Sequence, residues 1–529
     1  MNLAPFPLRD LHRWIVIAAA GTLSACAVGP DFVRPAAPNS SAYSPTPLAE
    51  RTATAPVEGG QEQRFVIGAD IRADWWTVFG SPQLDALIAR AIAANPSIEA
   101  ANAALRVAQE NVAAQRGFFF PTVGAGYSRT RTKLAGNQGG NSPGLQGNGS
   151  YIGTAEGTPA NEGGTAPFNG PVSYNFHTAQ LTLSYAPDVF GANKRQVEAL
   201  QAQAEQQRYQ AEAAYITLAS NIVAAAIQDA QLRQQIATVR ELIEASEMSV
   251  KLVQRQLKAG HVARLDVVLQ ERALAQSREL LPPLQKQFEL NRNLLRALAG
   301  GDQDAEVPSF EMEGFALPKE LPLSLPSQLI EQRPDVRAAE AQLHEASAQI
   351  GIARAARLPQ FTIDGNLGGT ASHFSQMFWN SGKFFELAAN IAVPIFDGGT
   401  LKARERGARE ALRQSAAQYR ATVVMALQSV ADTLQSIHYG ATSLQATADV
   451  ADKAKSVMEL TRRQYGRGYL DRLALIEAEQ TYRQALLDVT QARATRLGDT
   501  AALFQALGGG WWHRPSTDSA SAEQVQQQR

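Results

Sequence analysis

Seven histidines, at positions 12, 177, 261, 344, 373, 438 and 513, are the side chains best suited to acid–base or metal chemistry, and they are scattered along the chain. They form no His-Glu-x-x-His pair, and the chain has no Gly-x-Ser-x-Gly, Gly-x-Gly-x-x-Gly or P-loop pattern. A single cysteine, Cys26, excludes both a disulfide framework and a Cys-based zinc site. No enzyme activity, cofactor or metal is therefore expected. A net charge of −1 in 529 residues argues neither for nucleic acid nor for a general affinity for anionic membrane surfaces.

The chemistry left is acylation of Cys26. Arg9 and Arg13, the apolar run Trp14 to Ala20 and then Leu23-Ser24-Ala25-Cys26 follow the order of an export signal, and the run is too short to span a bilayer. Leu-Ser-Ala-Cys resembles the bacterial lipobox, whose cysteine becomes the acylated first residue after cleavage. Ala27 stands where an Asp would signal retention in the inner membrane, which implies sorting to the outer membrane.

These residues need elements to carry them, and the longest is a helix predicted over Lys194 to Ala259, which contains neither Pro nor Gly. At about 1.5 Å per residue it is roughly 100 Å long. Leu232, Ile236, Val239, Ile243, Ser246, Val250, Val253 and Leu257 alternate spacings of four and three, the seam of a coiled coil. Leu412, Ala416, Tyr419, Val423, Ala426, Val430, Thr433 and Ile437 repeat it in a proline-free stretch that ends at Pro515.

That recurrence belongs to an internal duplication. Asn95-Pro96 to Phe120-Pro121 aligns with Arg333-Pro334 to Leu358-Pro359 at an offset of 238, and Gly260 with Gly468 and Gly300 with Gly508 at 208. Each half reads as helix, β segment, very long helix, glycine turn and returning helix, a period too long for solenoid repeats. The change in offset falls where Ala135 to Gly170 holds eleven Gly and five Asn, a long loop. In the first returning helix Pro282-Pro283 predicts a break.

Segments at Val123 to Tyr127, Ala179 to Tyr185, Phe361 to Leu367 and Phe385 to Val393 alternate apolar with polar residues. Each alone fits a half-buried soluble hairpin as well as a lipid-facing strand. Four strands cannot close a membrane barrel, whereas three chains supply twelve, so the count argues for a trimer. The boundaries expected are a signal peptide at 1–25, an extended strap at 26–70, repeats at 71–301 and 327–509 joined by a linker at 302–326, and a disordered tail at 510–529.

Taken together, the lipobox, the duplicated helix–hairpin–helix unit, the two very long helices and the four amphipathic strands resemble the outer membrane factors of tripartite efflux systems, the TolC/OprM-like channels, and best their lipidated NodT-like branch. Gly29-Pro30, Pro35 and Asp74-Trp75-Trp76 with Phe79 extend the likeness over nearly all of the mature chain. The resemblance implies a mainly α fold with membrane β: a homotrimeric 12-stranded outer-membrane β-barrel continued by a coiled-coil helical barrel in the periplasm. It implies as partners a periplasmic adaptor (membrane fusion protein), an inner-membrane efflux transporter of the RND type and outer membrane lipid. Gly260-His261-Val262-Ala263-Arg264-Leu265-Asp266-Val267 resembles the family's first turn, with Ala263 in place of Ser, and Gly468 to Ala478 resembles the second. By the same pattern Leu473 and Glu477 line the periplasmic gate, Glu477 replacing Asp. Gly260, Arg264, Leu265, Asp266, Arg467, Gly468 and Arg472 then form tips that either dock the adaptor or are merely solvated. The rival readings are an enzyme and a structural lipoprotein using its coiled coils as a spacer; conductance in planar bilayers separates the latter from a pore.

Overall fold

The computed structural model describes residues 27–37, 42–44, 49–134, 144–145, 151–152, 172–301 and 306–514. The signal peptide, Cys26, most of Ala135 to Gly170 and the chain beyond Arg514 lie outside the described residues. Two compact units emerge, one built on residues 109–202 and 344–413 with the start of the chain up to Phe32, the other on 33–108, 203–343 and 414 onward.

The first unit holds the sheet. Strands β2 (Thr122–Leu134), β3 (Val172–Tyr185), β5 (Gln360–Ala371) and β6 (Lys383–Ala392) pair antiparallel in the order β2-β3-β5-β6. The register gathers like residues into rows. Val123, Leu183, Gly365 and Leu387 lie across one face, followed by Ala125, Leu181, Leu367 and Phe385. Phe385 is 83% exposed and Val123 68%, so among the described residues nothing covers this face there. The opposite face is hydrogen-bonded: Ser184 Oγ donates to Asp364 (2.9 Å), Asn390 Nδ2 donates to the other Asp364 oxygen (3.2 Å) and Asn366 Nδ2 donates to Glu386 (3.3 Å). Side chains alternate across a strand, which is why alternation in sequence became two faces of opposite character.

Both long helices start from one capping device. Asp188 accepts from the backbone N–H of Asn193 (3.0 Å) and Lys194 (2.7 Å) to open α3 (Ala192–Lys258). Asp397 accepts from Gly399 (2.8 Å) and Leu401 (2.7 Å) to open α8 (Thr400–Gly466). Each carboxylate satisfies N–H groups that a helix start leaves without partners. The residues that follow Cys26 are pinned here too: Val28 N–H donates to Phe190 O (3.1 Å), and the buried Arg195 guanidinium reaches Asp31 (2.8 Å), Glu198 (2.7 Å) and the carbonyls of Val28 and Gly29. Phe32 stacks on His344 with ring centroids 4.4 Å apart.

The second unit is helical. It contains α1 (Pro82–Ala94), the returning helices α4 (Arg264–Glu279), α5 (Leu281–Leu298) and α9 (Arg472–Ala506), and the short α6 (Pro326–Gln332). Helices α2 (Pro96–Gly117) and α7 (Pro334–Ala355), with α3 and α8, contribute residues to both units. The predicted seams are covered along most of their length: Leu232, Val239 and Val253 of α3, and Val430 and Ile437 of α8, are at most 1% exposed, although at the position read as Thr433 it is the neighbouring Leu434 that is fully buried. The break at Pro282-Pro283 separates α4 from α5, the prolines taking the first turn of α5, where no intrahelical N–H is needed.

The duplication recurs at the ends of the returning helices. Gly300 and Gly508 both adopt positive φ (71° and 93°) and both press against a carbonyl, that of Ala94 and that of Gln332, where a Cβ would clash. The residue after each carbonyl reciprocates: Asn95 Nδ2 donates to Leu298 O and Arg333 Nη1 to Ala506 O, each at 2.9 Å.

Three expectations change. The strap at 26–70 is not merely extended: β1 (Arg64–Ile67) pairs in parallel with β4 (Glu320–Leu323), which itself lies in the expected linker at 302–326. Four-residue strands separated by some 250 residues leave no local periodicity to read. The described part of that linker also supplies core, with Phe310, Met312 and Leu321 at most 1% exposed. The tail expected to be disordered from residue 510 is folded through Arg514: Trp511 Nε1 donates to Gln332 O (2.7 Å), and Arg514 pairs with Glu212 (2.8 Å) beneath the Tyr215 ring (3.6 Å).

Candidate channel gate and helix tips

Helices α3 and α8 end in the same turn. His261 N–H donates to Gln256 O (2.9 Å) around Gly260 at φ 77°, and Tyr469 N–H to Gln464 O (3.0 Å) around Gly468 at φ 79°. These six-to-one bonds over a left-handed residue form the Schellman motif, for which glycine alone carries no Cβ penalty. The following helices start differently. Asp471 accepts from Ala474 N–H (2.9 Å) to cap α9. At the equivalent Ala263 no side chain can accept, and only the return half of a capping box is made, from Ala263 N–H to Asp266 Oδ2 (2.8 Å).

Both tips expose cations and apolar groups together. Arg264, Asp266, Arg467 and Arg472 are exposed, as are Leu265 and Tyr469, and Arg472 lies over the Tyr465 ring at 5.7 Å. Leu473 and Glu477 follow on α9, one turn apart on the same face; Leu473 is half-buried and Glu477 exposed, with Leu475 and Ile476 between them buried. Two nearby arginines pair with other carboxylates. Arg462 pairs with Glu479 (3.1 Å), and Arg483 reaches Glu479 (3.8 Å) and Glu241 (3.4 Å). Among the described residues Glu477 joins no ion pair. Gln480 Nε2 donates to Ser246 Oγ (2.9 Å), which lies 3.1 Å from Ser277 Oγ, so a polar seam ties α9 to α3 and α3 to α4. Sequence reasoning missed this seam: serines at helical core positions carry no local mark of a partner on another helix.

Among the described residues there is no group of His, Cys, Asp and Glu able to hold a metal, and no helix is long and apolar enough to cross a membrane.

The family model described as outer membrane efflux protein matches residues 87–301 and 325–509, and the chain belongs to this family of non-enzymatic outer membrane efflux channels. It is an outer-membrane channel of efflux pumps. It is 28% identical to the pyoverdine export outer membrane protein OpmQ of Pseudomonas aeruginosa over 84% of this chain and 88% of that protein. It is also 28% identical to the toluene efflux pump outer membrane protein TtgF of Pseudomonas putida (94% and 97%), and 26% identical to the probable outer membrane lipoprotein SilC of Salmonella typhimurium (96% and 99%). Among solved structures, the Campylobacter jejuni CmeC outer membrane channel superposes with a TM-score of 0.78 at 19% identity, covering 94% of this chain and 98% of that one. The outer-membrane channel OprN gives 0.75 at 24% identity, covering 92% and 100%.

Proposed function

We propose that three copies of this chain close a 12-stranded barrel, continued by a coiled-coil helical barrel in the periplasm, and export small molecules handed over by an inner-membrane transporter of the RND type through a periplasmic adaptor. The observation that carries the trimer is the four-stranded sheet, whose outer strands β2 and β6 each keep one edge without a partner among the described residues, while two successive rows of one face are apolar. Lipid offers nothing to an open backbone edge, so only closure with neighbouring copies satisfies it. Export of small organic molecules is supported by relatives named for pyoverdine and toluene.

Cys26 carries the lipid anchor. The order of the residues just after it, held by Arg195, supports a tether close to the base of the sheet. Labelled palmitate should be incorporated by the native protein and absent from Cys26→Ser; label retained in the variant overturns lipidation.

Leu473 and Glu477 form the periplasmic gate, and Gly260, Arg264, Leu265, Asp266, Arg467, Gly468 and Arg472 form the surface that docks the adaptor. Threefold symmetry turns Leu473 into an apolar ring and Glu477 into an acidic one, and a ring of carboxylates attracts cations. Pairing of the neighbouring arginines with Glu479 rather than Glu477 supports a role for Glu477 in the lumen. In planar bilayers Glu477→Ala should raise conductance and shift the reversal potential away from cation selectivity, while mass analysis in detergent still returns a trimer. Unchanged selectivity in an assembled variant refutes the gate, and a folded, conducting monomer refutes the trimer.

A further inference from the structure

The apolar face of the sheet changes character along β2. Its odd-numbered positions run Val123, Ala125, Tyr127, Arg129, Arg131 and Lys133, all on one side of the strand. The first two belong to the apolar rows. Tyr127 opens an aromatic belt: its hydroxyl lies 2.8 Å from His177 Nδ1, Phe374 packs edge-on at 5.8 Å, and Phe378 and Trp379 stand exposed in the turn between β5 and β6. Side chains with an apolar body and a polar end collect at headgroup depth. Beyond that belt Arg129, Arg131 and Lys133 are exposed, and among the described residues they form no ion pair. Successive members are roughly 7 Å apart along the strand.

Two features give this stripe a meaning. It belongs to one face only, for the intervening Ser128, Thr130 and Thr132 on the polar face are neutral. It also lies at the end of the hairpin away from α2 and α3. In the proposed architecture the helices are periplasmic and the long loops of a barrel extracellular, so this end faces the outer leaflet.

We propose that Arg129, Arg131 and Lys133 form a binding site for the phosphate groups of the phosphorylated glycolipid of the outer leaflet, lipopolysaccharide. The inference rests on the reading of the apolar face as the lipid-facing wall of a closed barrel. Guanidinium forks match phosphate oxygens in pairs, and long side chains extend from the wall toward the charged layer while their stems stay on the apolar surface. The acyl chains of the same lipid then lie against Leu181, Leu367 and Phe385, one continuous row below Tyr127.

The test uses full-length trimers in phosphatidylethanolamine nanodiscs, titrated with lipopolysaccharide, with its dephosphorylated form and with phosphatidylglycerol. Changing Arg129→Ser, Arg131→Ser and Lys133→Ser together should weaken lipopolysaccharide binding about tenfold or more, whereas Arg129→Lys with Arg131→Lys, which keeps the charge but loses the paired hydrogen bonds, should weaken it by less than the triple variant. Native trimers should bind the dephosphorylated form and phosphatidylglycerol at least about tenfold more weakly, and should lose about tenfold affinity for lipopolysaccharide between low and molar salt. Native-like binding by the triple variant overturns the site, as does equal binding of dephosphorylated lipopolysaccharide; equal binding of phosphatidylglycerol overturns the choice of ligand. Detergent mass and conductance of the same samples report assembly. If the triple variant does not assemble, the salt and dephosphorylation arms on native protein decide, and failure of the native chain to form a conducting trimer would count against the barrel reading instead.

Discussion

Replacing Asp499 by Asn is expected to stabilise the protein at neutral pH by roughly 1–2 kcal/mol, less than a dry site would give because the carboxyl is only partly buried, and the gain should disappear in acid. Asp499 sits on α9 with its carboxylate against Gly440 of α8, where a Cβ would approach one oxygen to 2.9 Å. Burial without a compensating cation pushes its pKa up to about 6 from 3.8. The sign follows from linkage. The unfolded chain releases this proton near pH 3.8 and the folded protein only near pH 6, so stability falls as pH rises between the two and stays lower above. Asparagine removes the charge at nearly equal volume and so removes that loss. Chaotrope unfolding followed by circular dichroism should show the midpoint of Asp499→Asn above that of the native protein at pH 7.5 and level with it at pH 4. A gain of the same size at both pH values would mean that packing, not ionisation, is responsible.

Glu405 should show the opposite pH dependence. On α8, a little over one turn past Leu401, its carboxylate receives Arg354 (3.0 Å), Arg409 (2.6 Å) and Arg357, leaving 7% of the side chain exposed. The hydrogen bond from Arg354 leads the effects that bring its pKa down to about 2, with Arg357 and Arg409 adding to it against a desolvation cost. The cover consists of the guanidinium groups themselves, each 41–52% exposed, so water still screens the cluster. The stabilisation is accordingly nearer 1–2 kcal/mol than the value expected for a dry interior. It is fully present above the unfolded pKa near 4.5 and lost as pH falls toward 2. Glu405→Gln should therefore lower the unfolding midpoint at pH 7 and match the native protein near pH 2, and Glu405→Ala should cost more, because three cations are left facing one another. Identical midpoints for native and Gln forms at pH 7 would show that the cluster contributes nothing.

Much of the architecture was legible in the chain because its signals are local or periodic. The absence of Pro and Gly between Lys194 and Ala259 and the four–three spacing announce a long helix whatever surrounds it. The glycine turns at Gly260 and Gly468 were legible because only glycine accepts the conformation a Schellman turn demands. Alternation along Val123 to Tyr127 determined which residues share a face of the sheet. Tertiary structure alone decided the rest. The parallel pairing of Arg64–Ile67 with Glu320–Leu323, and the anchoring of Trp511 to Arg514, join segments far apart in sequence. So does the burial of Arg496, fully covered on α9, with Gly59 O, Gln61 O and Thr52 Oγ1 as its acceptors. Such contacts draw their energy from burial and hydrogen bonds that exist only once distant segments meet. A local pattern records which face of an element is apolar, and the packed fold decides what covers it.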